Sequence, residues 1–591
     1  MRLLALLALA GGCTWPAPPE LPACQDDEPC TASELELRAA FGPKQVELSW
    51  NPYGDATTYR VYQASDGTTF AQVGDDLPAT ALMMQLPVSV HRTSWPTVRF
   101  RVEACVGDAC VRSQDLAIGD AMVSAIGYVK ASNTDAIDKF GFAVAISTSG
   151  DTLAIGAYSE ASNASADQLN NGAPECGAVY VFERSNTEWR QEAYLKANNA
   201  ETWDNFGRSI ALSDDGSTLA VGARLEDGSS AGVGGTETDN SLAEAGAAYV
   251  FVRSGTSWFQ QAYLKASNPG AGDFFGDSVA LSGDGSTLAV GAVIEASAAD
   301  GINGDQSDDT APEAGAVYVF ERTAGAWSQQ AYLKASNSGP MAHFGASLAL
   351  SNDGNTLVAG AAGERSASTG IDGNQQDTAA ANAGAVYVFT RSGSSWAQQA
   401  YVKPTHVRAN DHVGWSVALD GDGDTLAVGA KGESNLVSPG DALATNAGAV
   451  FVFTRTGSTW SQSAYLKPAF VHNGYEVGWR VALSDDGTTI AASAPGDASS
   501  ARGVGGSASD DRASSAGAVV VFSRDDATWH QVAYVKASNP DANDRFGMSL
   551  GMSGDGSTLA VGAPYEASRA KGIGGDPDDN AAMHAGAVYL Y

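Results

Sequence analysis

The chain has 591 residues, of which 34 are lysine or arginine and 68 are aspartate or glutamate; the resulting net charge of −34 excludes binding to nucleic-acid phosphates, which needs a basic face. Hydrophobic residues make up 44% of the chain and charged residues only 17%, and the 67 glycines indicate a folded, turn-rich β-protein. The seven histidines and six cysteines are scattered, so neither a zinc site nor a nucleophile–base pair is indicated and we do not expect an enzyme.

Residues 1–12 have the pattern of an export signal. An apolar run over residues 3–10 is too short to span a bilayer but has the length of a signal-peptide core. It ends in LAGGC, which resembles the lipobox of bacterial lipoproteins and implies acylation of Cys13. Ala10 stands where that family usually has leucine, and the ALA before Gly11 would also suit an ordinary signal peptidase. We expect an exported lipoprotein of the outer membrane or cell surface, or alternatively a secreted or periplasmic soluble protein.

The cysteines fit an oxidising compartment. Cys24 and Cys30 are close in sequence, as are Cys105 and Cys110, and we expect a disulfide within each pair. Cys176 is left unpaired, and we interpret it as a small buried apolar residue.

Two segments precede the main part of the chain. Residues 13–34 are rich in proline and form a predicted extended tether. Residues 35–118 contain stretches in which apolar and polar residues alternate, such as VELSW ending at Trp50, YRVY starting at Tyr59, and FRVEAC starting at Phe100. These three stretches resemble a fibronectin type III domain. The resemblance implies a small β-sandwich, which in such proteins usually serves as a spacer.

Residues 119–591 contain seven copies of one unit. The motif GAVYVF or a close variant begins at glycines 177, 246, 315, 384, 448, 517 and 586. Each unit predicts four short strands, and Asp-Gly supplies the first hairpin turn in six of the seven units. Four-stranded units repeated at this period predict a seven-bladed β-propeller. The last unit stops after its third strand, whereas residues 125–130 form an isolated fourth-type strand, so we expect this N-terminal strand to close the ring.

The repeated Phe-Gly and Gly-Ala elements resemble the FG-GAP repeats of integrin α-subunit propellers. Representative copies are Phe275-Gly276 and the GAP at residues 562–564. The resemblance covers about 460 residues and implies the fold, but it says little about function. In that family the first hairpin often holds calcium, yet most hairpins here lack the ligand positions.

Two groups of aspartates are the candidate calcium ligands. The first group is Asp420, Asp422 and Asp424, which alternate with glycine in the first hairpin of blade 5, a short loop for which an incidental polar turn is the alternative. The second is Asp305, Asp308 and Asp309, in a long loop between the second and third strands that recurs in five blades. These loops and those before each Phe-Gly should share one acidic face of the disc. Bracing of the blades and solubility of an exported protein are the alternative explanations.

The tryptophans fall into two sets. Those in the repeated Trp-x-Gln-x-Ala-Tyr element recur in every fourth strand, which favours packing over a sugar-binding platform. Trp203, Trp415 and Trp479 interrupt the repeat near the Phe-Gly loops, and we interpret them as candidate partner contacts.

These features predict a monomeric surface protein that binds or adheres to a protein or glycan ligand through the acidic loop face. Calcium is the only cofactor considered, and the membrane is expected to be reached only through a lipid anchor. The alternatives are a structural platform subunit of an envelope complex and, less favoured, a propeller hydrolase or lyase. FG-GAP-like repeats also accompany a phospholipase family, but its catalytic zinc domain has no counterpart in residues 35–118, which hold one histidine, His91.

Overall fold

The computed structural model describes residues 34–163, 168–186, 188–435 and 444–591. The predicted signal, the tether up to residue 33, Cys13, Cys24 and Cys30 lie outside the described residues. The described elements are β-strands and one short 3-10 helix, Gly119–Ala125. No helix within these ranges is long and apolar enough to cross a membrane.

A small β-region precedes the propeller. One sheet has the order β1-β2-β5, and the other has the order β4-β3-β6-β7 with β8 also paired to β6. The strands are β1 Leu37–Gly42, β2 Gln45–Trp50, β3 Thr58–Ala64, β4 Ala71–Pro78, β5 Met83–Pro87, β6 Arg99–Val106, β7 Ala109–Arg112 and β8 Leu116–Ala117. Strand β2 alternates between half-buried and buried residues, as its sequence predicts, so one face of each sheet lines a common core.

Seven four-stranded antiparallel sheets follow, which confirms the predicted propeller. Blades 1 to 4 comprise β10 Ala143–Ile146, β11 Thr152–Ala157, β12 Ala178–Ser185, β13 Glu188–Leu195; β14 Phe206–Leu212, β15 Thr218–Ala223, β16 Ala247–Ser254, β17 Ser257–Leu264; β18 Phe275–Leu281, β19 Thr287–Ala292, β20 Ala316–Thr323, β21 Ala326–Leu333; and β22 Phe344–Leu350, β23 Thr356–Ala361, β24 Ala385–Ser392, β25 Ser395–Val402. Blades 5 to 7 comprise β26 Val413–Leu419, β27 Thr425–Ala430, β28 Ala449–Thr456, β29 Thr459–Leu466; β30 Val481–Leu483, β31 Thr489–Ala494, β32 Ala518–Asp525, β33 Thr528–Val535; and β34 Ser549–Met552, β35 Leu559–Ala563, β36 Ala587–Leu590 with β9 Gly127–Val129.

The second and third strands of each blade are buried on both faces because neighbouring blades stack against them. Strand β19, for example, is buried along its whole length. Leu288, Val290 and Ala292 point to one face and pack with side chains of blade 2. Ala289 points to the other face and packs with side chains of blade 4. The first strands contact one another in sequence around the ring, including β34 with β10, and therefore surround the central channel.

Strand β9 completes blade 7, which confirms the predicted closure. It pairs antiparallel with β36, so that Tyr128 lies opposite Tyr589 and Val129 opposite Val588. The pairing joins segments more than 430 residues apart in sequence. It also covers the edge that β36 would otherwise leave open for pairing with another chain.

The first hairpins of the seven blades are tied together around the propeller axis. One residue from each hairpin donates its backbone N–H to the carbonyl of the next, and the distances are 2.8–3.1 Å. The residues are, in order, Thr148, Asp214, Gly283, Asn352, Gly421, Asp485 and Gly554, which donates back to Thr148. This hydrogen-bonded ring draws the blades together at one end of the channel.

The N-terminal β-region packs directly on blades 6 and 7, which differs from the expected spacer. Its core residues join one hydrophobic cluster with Val519, Tyr589 and Tyr591 of the propeller, and the Trp95 ring lies against the backbone of Gly503. Strand β36 has four residues and β9 three, whereas the third and fourth strands of the other blades have eight. The N-terminal region packs beside these two short strands.

Two side chains of this region bind propeller residues, and one of them replaces a contact that other blades make themselves. In blade 3, Arg322 reaches back to the hydroxyl of Thr218 in blade 2 at 3.3 Å. At the equivalent Thr489 of blade 6, the contact comes from Arg92 of the N-terminal region, whose Nη2 donates to the threonine hydroxyl at 3.0 Å. Lys44 adds three hydrogen bonds of 2.7–2.8 Å from its Nζ to Ser557 O, Thr558 Oγ1 and Tyr591 O.

Candidate binding face of the propeller

The two faces of the disc carry different connections. The connections between the second and third strands of each blade, which we call the 2–3 loops, lie on one side of the disc together with the connections from each fourth strand to the next blade. We name this side the loop face. The hairpins between the first and second strands and between the third and fourth strands lie on the other side, the hairpin face. The loop-face connections contact each other, as Asn268 Nδ2 donates to Gln306 O at 3.0 Å, which agrees with the expectation that both kinds of loop share one face.

A buried ion pair lies beneath the loop face in every blade. The acidic residue follows the second strand, and the lysine follows the fourth. The pairs are Glu160–Lys196, Glu226–Lys265, Glu295–Lys334, Glu364–Lys403, Glu433–Lys467, Asp497–Lys536 and Glu566–Lys130, with N–O distances of 2.6–3.1 Å and side chains at most 5% exposed. Each pair ties the outer strand of a blade to its interior.

Further polar groups saturate these pairs. In blade 3 the Tyr332 hydroxyl donates to Glu295 at 2.8 Å, and Asn268 donates to the same carboxylate at 3.3 Å. The Tyr318 hydroxyl in turn donates to Asn268 Oδ1 at 2.7 Å. Because Asn268 comes from the connection that leaves blade 2, the network links consecutive blades, and satisfied buried networks of this kind rigidify a fold.

Buried aspartates in the connections before the Phe-Gly elements make stability depend on pH. Burial raises the pKa of Asp138 and Asp204 to about 8, of Asp544 to about 7, and of Asp273 and Asp411 to about 6. Between pH 4 and these values the five aspartates bind more protons in the folded chain than in the unfolded chain, so the stability that they contribute falls as the pH rises. We expect the melting temperature to be several degrees higher at pH 5.5 than at pH 8.

Asparagine variants test this dependence. Asp204→Asn keeps an oxygen that can accept the backbone N–H of Glu201, which the carboxylate accepts at 2.8 Å, but it removes the titration. The variant should melt with a flatter pH profile than the wild type at constant ionic strength. A wild-type protein that loses stability between pH 8 and pH 5.5 would contradict the prediction.

The 2–3 loop shared by five blades folds back on the fourth strand of its own blade. Single β-bridges join Val233 to Leu264, Ile302 to Leu333 and Ile371 to Val402, and blades 6 and 7 repeat the contact. Its aspartates cap loop amides: Asp305 accepts from Ser307 N at 2.9 Å and Asp308 from Thr310 N at 3.1 Å. Asp309 is exposed. These contacts fit the bracing interpretation.

The three aspartates of the blade 5 hairpin also bind protein groups. Asp420 accepts the N–H groups of Asp424 and Thr425, both at 2.9 Å, and so replaces the serine that caps this turn in other blades. Asp422 accepts from Asp424 N at 3.1 Å, and Asp424 pairs with Arg455 at 2.7 Å. Calcium binding here or in the 2–3 loops stays a prediction.

Two of the described cysteines lie in the N-terminal β-region, and the third lies in the connection between the second and third strands of blade 1. Cys105 and Cys110 form a disulfide, and Cys176 is buried and unpaired. Glu103 lies beside the disulfide, and these three residues are the only described group of three or more potential metal ligands with ligand atoms within 4.8 Å of one another. Because the sulfurs are bonded to each other, the group is not a metal site.

Trp203 lies exposed on the loop face in a strained conformation. It is 56% exposed and has φ 77°, in the left-handed region that L-residues with large side chains avoid. The equivalent positions of four blades are Gly or Asn, which tolerate this region: Gly272, Asn410, Gly474 and Asn543. Ile137 and Met341 occupy it in the other two blades and are also about half exposed.

Trp415 and Trp479 lie at the loop-face end of the central channel. They follow the Phe-Gly-type glycines of neighbouring first strands, and their ring centroids are 5.2 Å apart. Lys431 Nζ lies 3.1 Å from the Trp415 centroid and 4.4 Å from that of Trp479. The structure thus brings these two tryptophans together, while Trp203 lies in the connection between blades 1 and 2.

The tryptophans of the repeated Trp-x-Gln-x-Ala-Tyr element pack between blades. Trp327 is 6% exposed and donates from Nε1 to Gln261 of the preceding blade at 2.9 Å, and the Arg322 guanidinium lies over its ring. This arrangement agrees with the packing interpretation rather than with a sugar platform.

Sequence reasoning missed the seven ion pairs and the charged residues of the channel. The ion pairs had a signal, because Glu-x-Ser recurs in phase after the second strand of four blades and every fourth strand ends in Tyr-Leu-Lys or Tyr-Val-Lys. The channel residues Arg208, Asp277 and Arg480 also had one. The residue after the glycine of each Phe-Gly element differs between blades. Arg208 and Asp277 occupy this position in blades 2 and 3, as Trp415 and Trp479 do in blades 5 and 6. Arg480 is the next residue after Trp479.

Comparison with protein families places these features in context. The FG-GAP repeat family matches residues 127–182, 189–251, 258–320, 327–389, 396–453 and 529–591, which together exceed half of the chain. The unmatched stretch holds the sixth copy, where Val477-Gly478 replaces Phe-Gly and Asp497 replaces the buried glutamate. A search of curated proteins finds no match.

Two solved structures are similar to this chain. Kuenenia stuttgartiensis hydrazine synthase is 13% identical, covering 72% of this chain and 93% of its own at a TM-score of 0.42. A structure of the Dos1 propeller is 11% identical, covering 78% of this chain and 93% of its own at a TM-score of 0.37. Neither likeness indicates a function for this chain.

Proposed function

Because the chain belongs to the FG-GAP repeat family, whose β-propellers are generally binding domains, we propose that it is an exported binding protein whose loop face contacts a protein or glycan at a cell surface. The observation that carries the proposal is the set of large apolar residues, Ile137, Trp203 and Met341, at an exposed position with positive φ. Glycine or asparagine at this position would reduce the backbone strain and the exposed apolar surface. Strained, exposed apolar residues are typical of contact sites.

The segments that precede the propeller support its presentation at a cell surface. The lipobox-like sequence at Cys13 favours a lipid anchor, and the proline-rich residues 13–34 would hold the folded part away from the membrane. The two sheets of residues 35–118 support a fibronectin type III-like domain. In this proposal it acts as a support for blade 7 as well as a link to the tether.

Trp203→Gly tests the binding face. Glycine relieves a left-handed conformation that costs a non-glycine residue about 1 kcal/mol, so we expect the variant to be more stable and to melt roughly 1–2 °C higher. Loss of a central aromatic contact should weaken binding of the purified protein to intact cell surfaces by about tenfold or more. Thermal denaturation and a surface-binding isotherm measure the two effects, with binding repeated in calcium and in chelator.

Phe259 provides a matched control. It is also 56% exposed but lies on the outer strand β17, away from the loop face, where blade 3 has Ser328. Phe259→Ser should leave binding unchanged. Equal binding by Trp203→Gly and the wild type would refute the role of Trp203. If calcium strengthens binding by the wild type but not by Trp203→Gly, the metal lies near this contact.

A further inference from the structure

The loop-face end of the central channel carries side chains that no other part of the repeat explains. We name this group the channel mouth and define it by Phe142, Tyr158, Arg208, Arg224, Asp277, Trp415, Lys431, Trp479 and Arg480. All nine are half-buried. Because each comes from a position that differs between blades, the mouth is a single site and not a repeated structural device.

Two arginines of the mouth share one carboxylate, and a third has none within the described part of the chain. Arg208 Nε lies 3.5 Å and Arg224 Nη1 3.3 Å from the same Oδ1 of Asp277. The Nε atoms of both arginines are buried and have no hydrogen-bond partner among the described residues. The Arg480 guanidinium, which enters from the opposite side of the ring, forms no ion pair with a described residue. The mouth therefore has donors to spare.

The positive charge of the mouth is not balanced. Burial and the nearby Arg208 guanidinium lower the pKa of Arg480 to about 10, against the opposing effect of Asp277. Burial also lowers the pKa of Lys431 to about 8, with Arg480 adding to the effect and Glu476 opposing it. Four cations thus face two carboxylates in a chain whose net charge is −34. A bound anion would relieve their mutual repulsion.

Aromatic rings line the same space. The Arg208 guanidinium lies 4.5 Å from the Phe142 ring centroid, and Trp415 and Trp479 flank Lys431 on the other side. The Nε1 atoms of both tryptophans are buried without a hydrogen-bond partner among the described residues. The hydrogen-bonded ring of the seven hairpins lies at the other end of the channel, so access is from the loop face.

We propose that the channel mouth binds an organic anion, with its carboxylate between Arg208, Arg224 and Arg480 and its apolar part against Trp415 and Trp479. Guanidinium groups match the geometry of a carboxylate, and indole rings offer a flat apolar wall. The inference rests on the proposed function, because the mouth opens at the centre of the loop face. It adds the chemical class of the group that the face recognises.

Titration calorimetry of the full chain with benzoate tests the proposal, with inorganic phosphate and benzyl alcohol as probes that lack the apolar part or the charge. Benzoate should bind more tightly than either probe. Arg480→Ser restores the serine that blades 2 to 5 and 7 carry at this position, as Ser209 does, so the variant should fold. It should bind benzoate about tenfold more weakly or worse. Arg512→Ser, in an exposed loop of the same blade, should bind as the wild type does.

Three results would overturn the inference: no benzoate binding by the wild type, equal affinity for phosphate and benzoate, or unchanged affinity in Arg480→Ser. The surface-binding measurement with Trp203→Gly separates this failure from failure of the proposed function. A wild-type chain that binds cell surfaces through Trp203 but ignores benzoate would keep the proposed function and reject the anion site.

Discussion

Replacing Lys130 by methionine should lower the free energy of unfolding by about 3–5 kcal/mol, because the change leaves Glu566 charged and buried without its partner. Lys130 Nζ lies 2.8 Å from Glu566, and neither side chain is more than 1% exposed. The same carboxylate accepts from Tyr128 at 2.9 Å. All of these contacts hold β9 in the last blade, so the loss should open the ring. Denaturant titration and hydrogen exchange of β36 amides measure it.

Two further variants interpret the result. Lys130→Met combined with Glu566→Gln removes the buried charge, and it should recover a large part of the lost stability. Lys334→Met breaks the equivalent pair with Glu295 in blade 3, whose four strands are consecutive in sequence. It should destabilise that blade without fast exchange in β36. Equal exchange of β36 amides in Lys130→Met and Lys334→Met would contradict the special role of the last blade.

Lys44→Met should detach the N-terminal β-region from blade 7. The lysine is buried, and its Nζ supplies the three hydrogen bonds to Ser557, Thr558 and Tyr591. Methionine fills a similar volume but removes all three hydrogen bonds from the charged donor. Thr558 Oγ1 is then left without a partner among the described residues, whereas Ser557 O keeps the Ser89 hydroxyl and Tyr591 O keeps the backbone N–H of Leu559. We expect the loss to cost about 3 kcal/mol. Amides around Gly556 and in β36 should then exchange about a hundredfold faster, since each 1.4 kcal/mol is about a factor of ten.

Lys571→Met is the matched control, because Lys571 is an exposed lysine on a loop of the same blade. It should leave exchange and melting unchanged. The exchange of blade 4 amides should not differ in either variant. If Lys44→Met and Lys571→Met behave alike, the N-terminal region does not stabilise blade 7 in the way the contacts indicate.

The propeller could be predicted from sequence because its evidence is repeated seven times in phase. The positions of the hairpins follow from Asp-Gly turns, and the glycines concerned, such as Gly216 and Gly285, adopt positive φ as expected. Closure by β9 followed from a count of strands at both ends of the repeat. Each of these arguments uses a pattern local in sequence or identical between copies.

The remaining features depend on contacts that occur once and link distant residues. Nothing near Lys44 in sequence indicates that it meets Tyr591, and Arg92 replaces a blade arginine without sharing its sequence context. For the same reason the sequence predicts a spacer in the N-terminal region and gives no sign of its packing on blades 6 and 7. Asp420, Asp422 and Asp424 alternate as metal ligands do, but backbone amides and Arg455 are their partners in the structure.

The hybrid composition of blade 7 also determines the order in which the molecule can fold. Blades 1 to 6 are each built from consecutive strands and can form as soon as their own residues are present. The last blade must bring together segments over 430 residues apart, and pairing over such distances is slow. Its entropic cost is modest, because doubling a loop adds only about 0.6 kcal/mol. Until that step, β36 presents an unpaired edge, so the interval before closure is when the chain is most prone to aggregate.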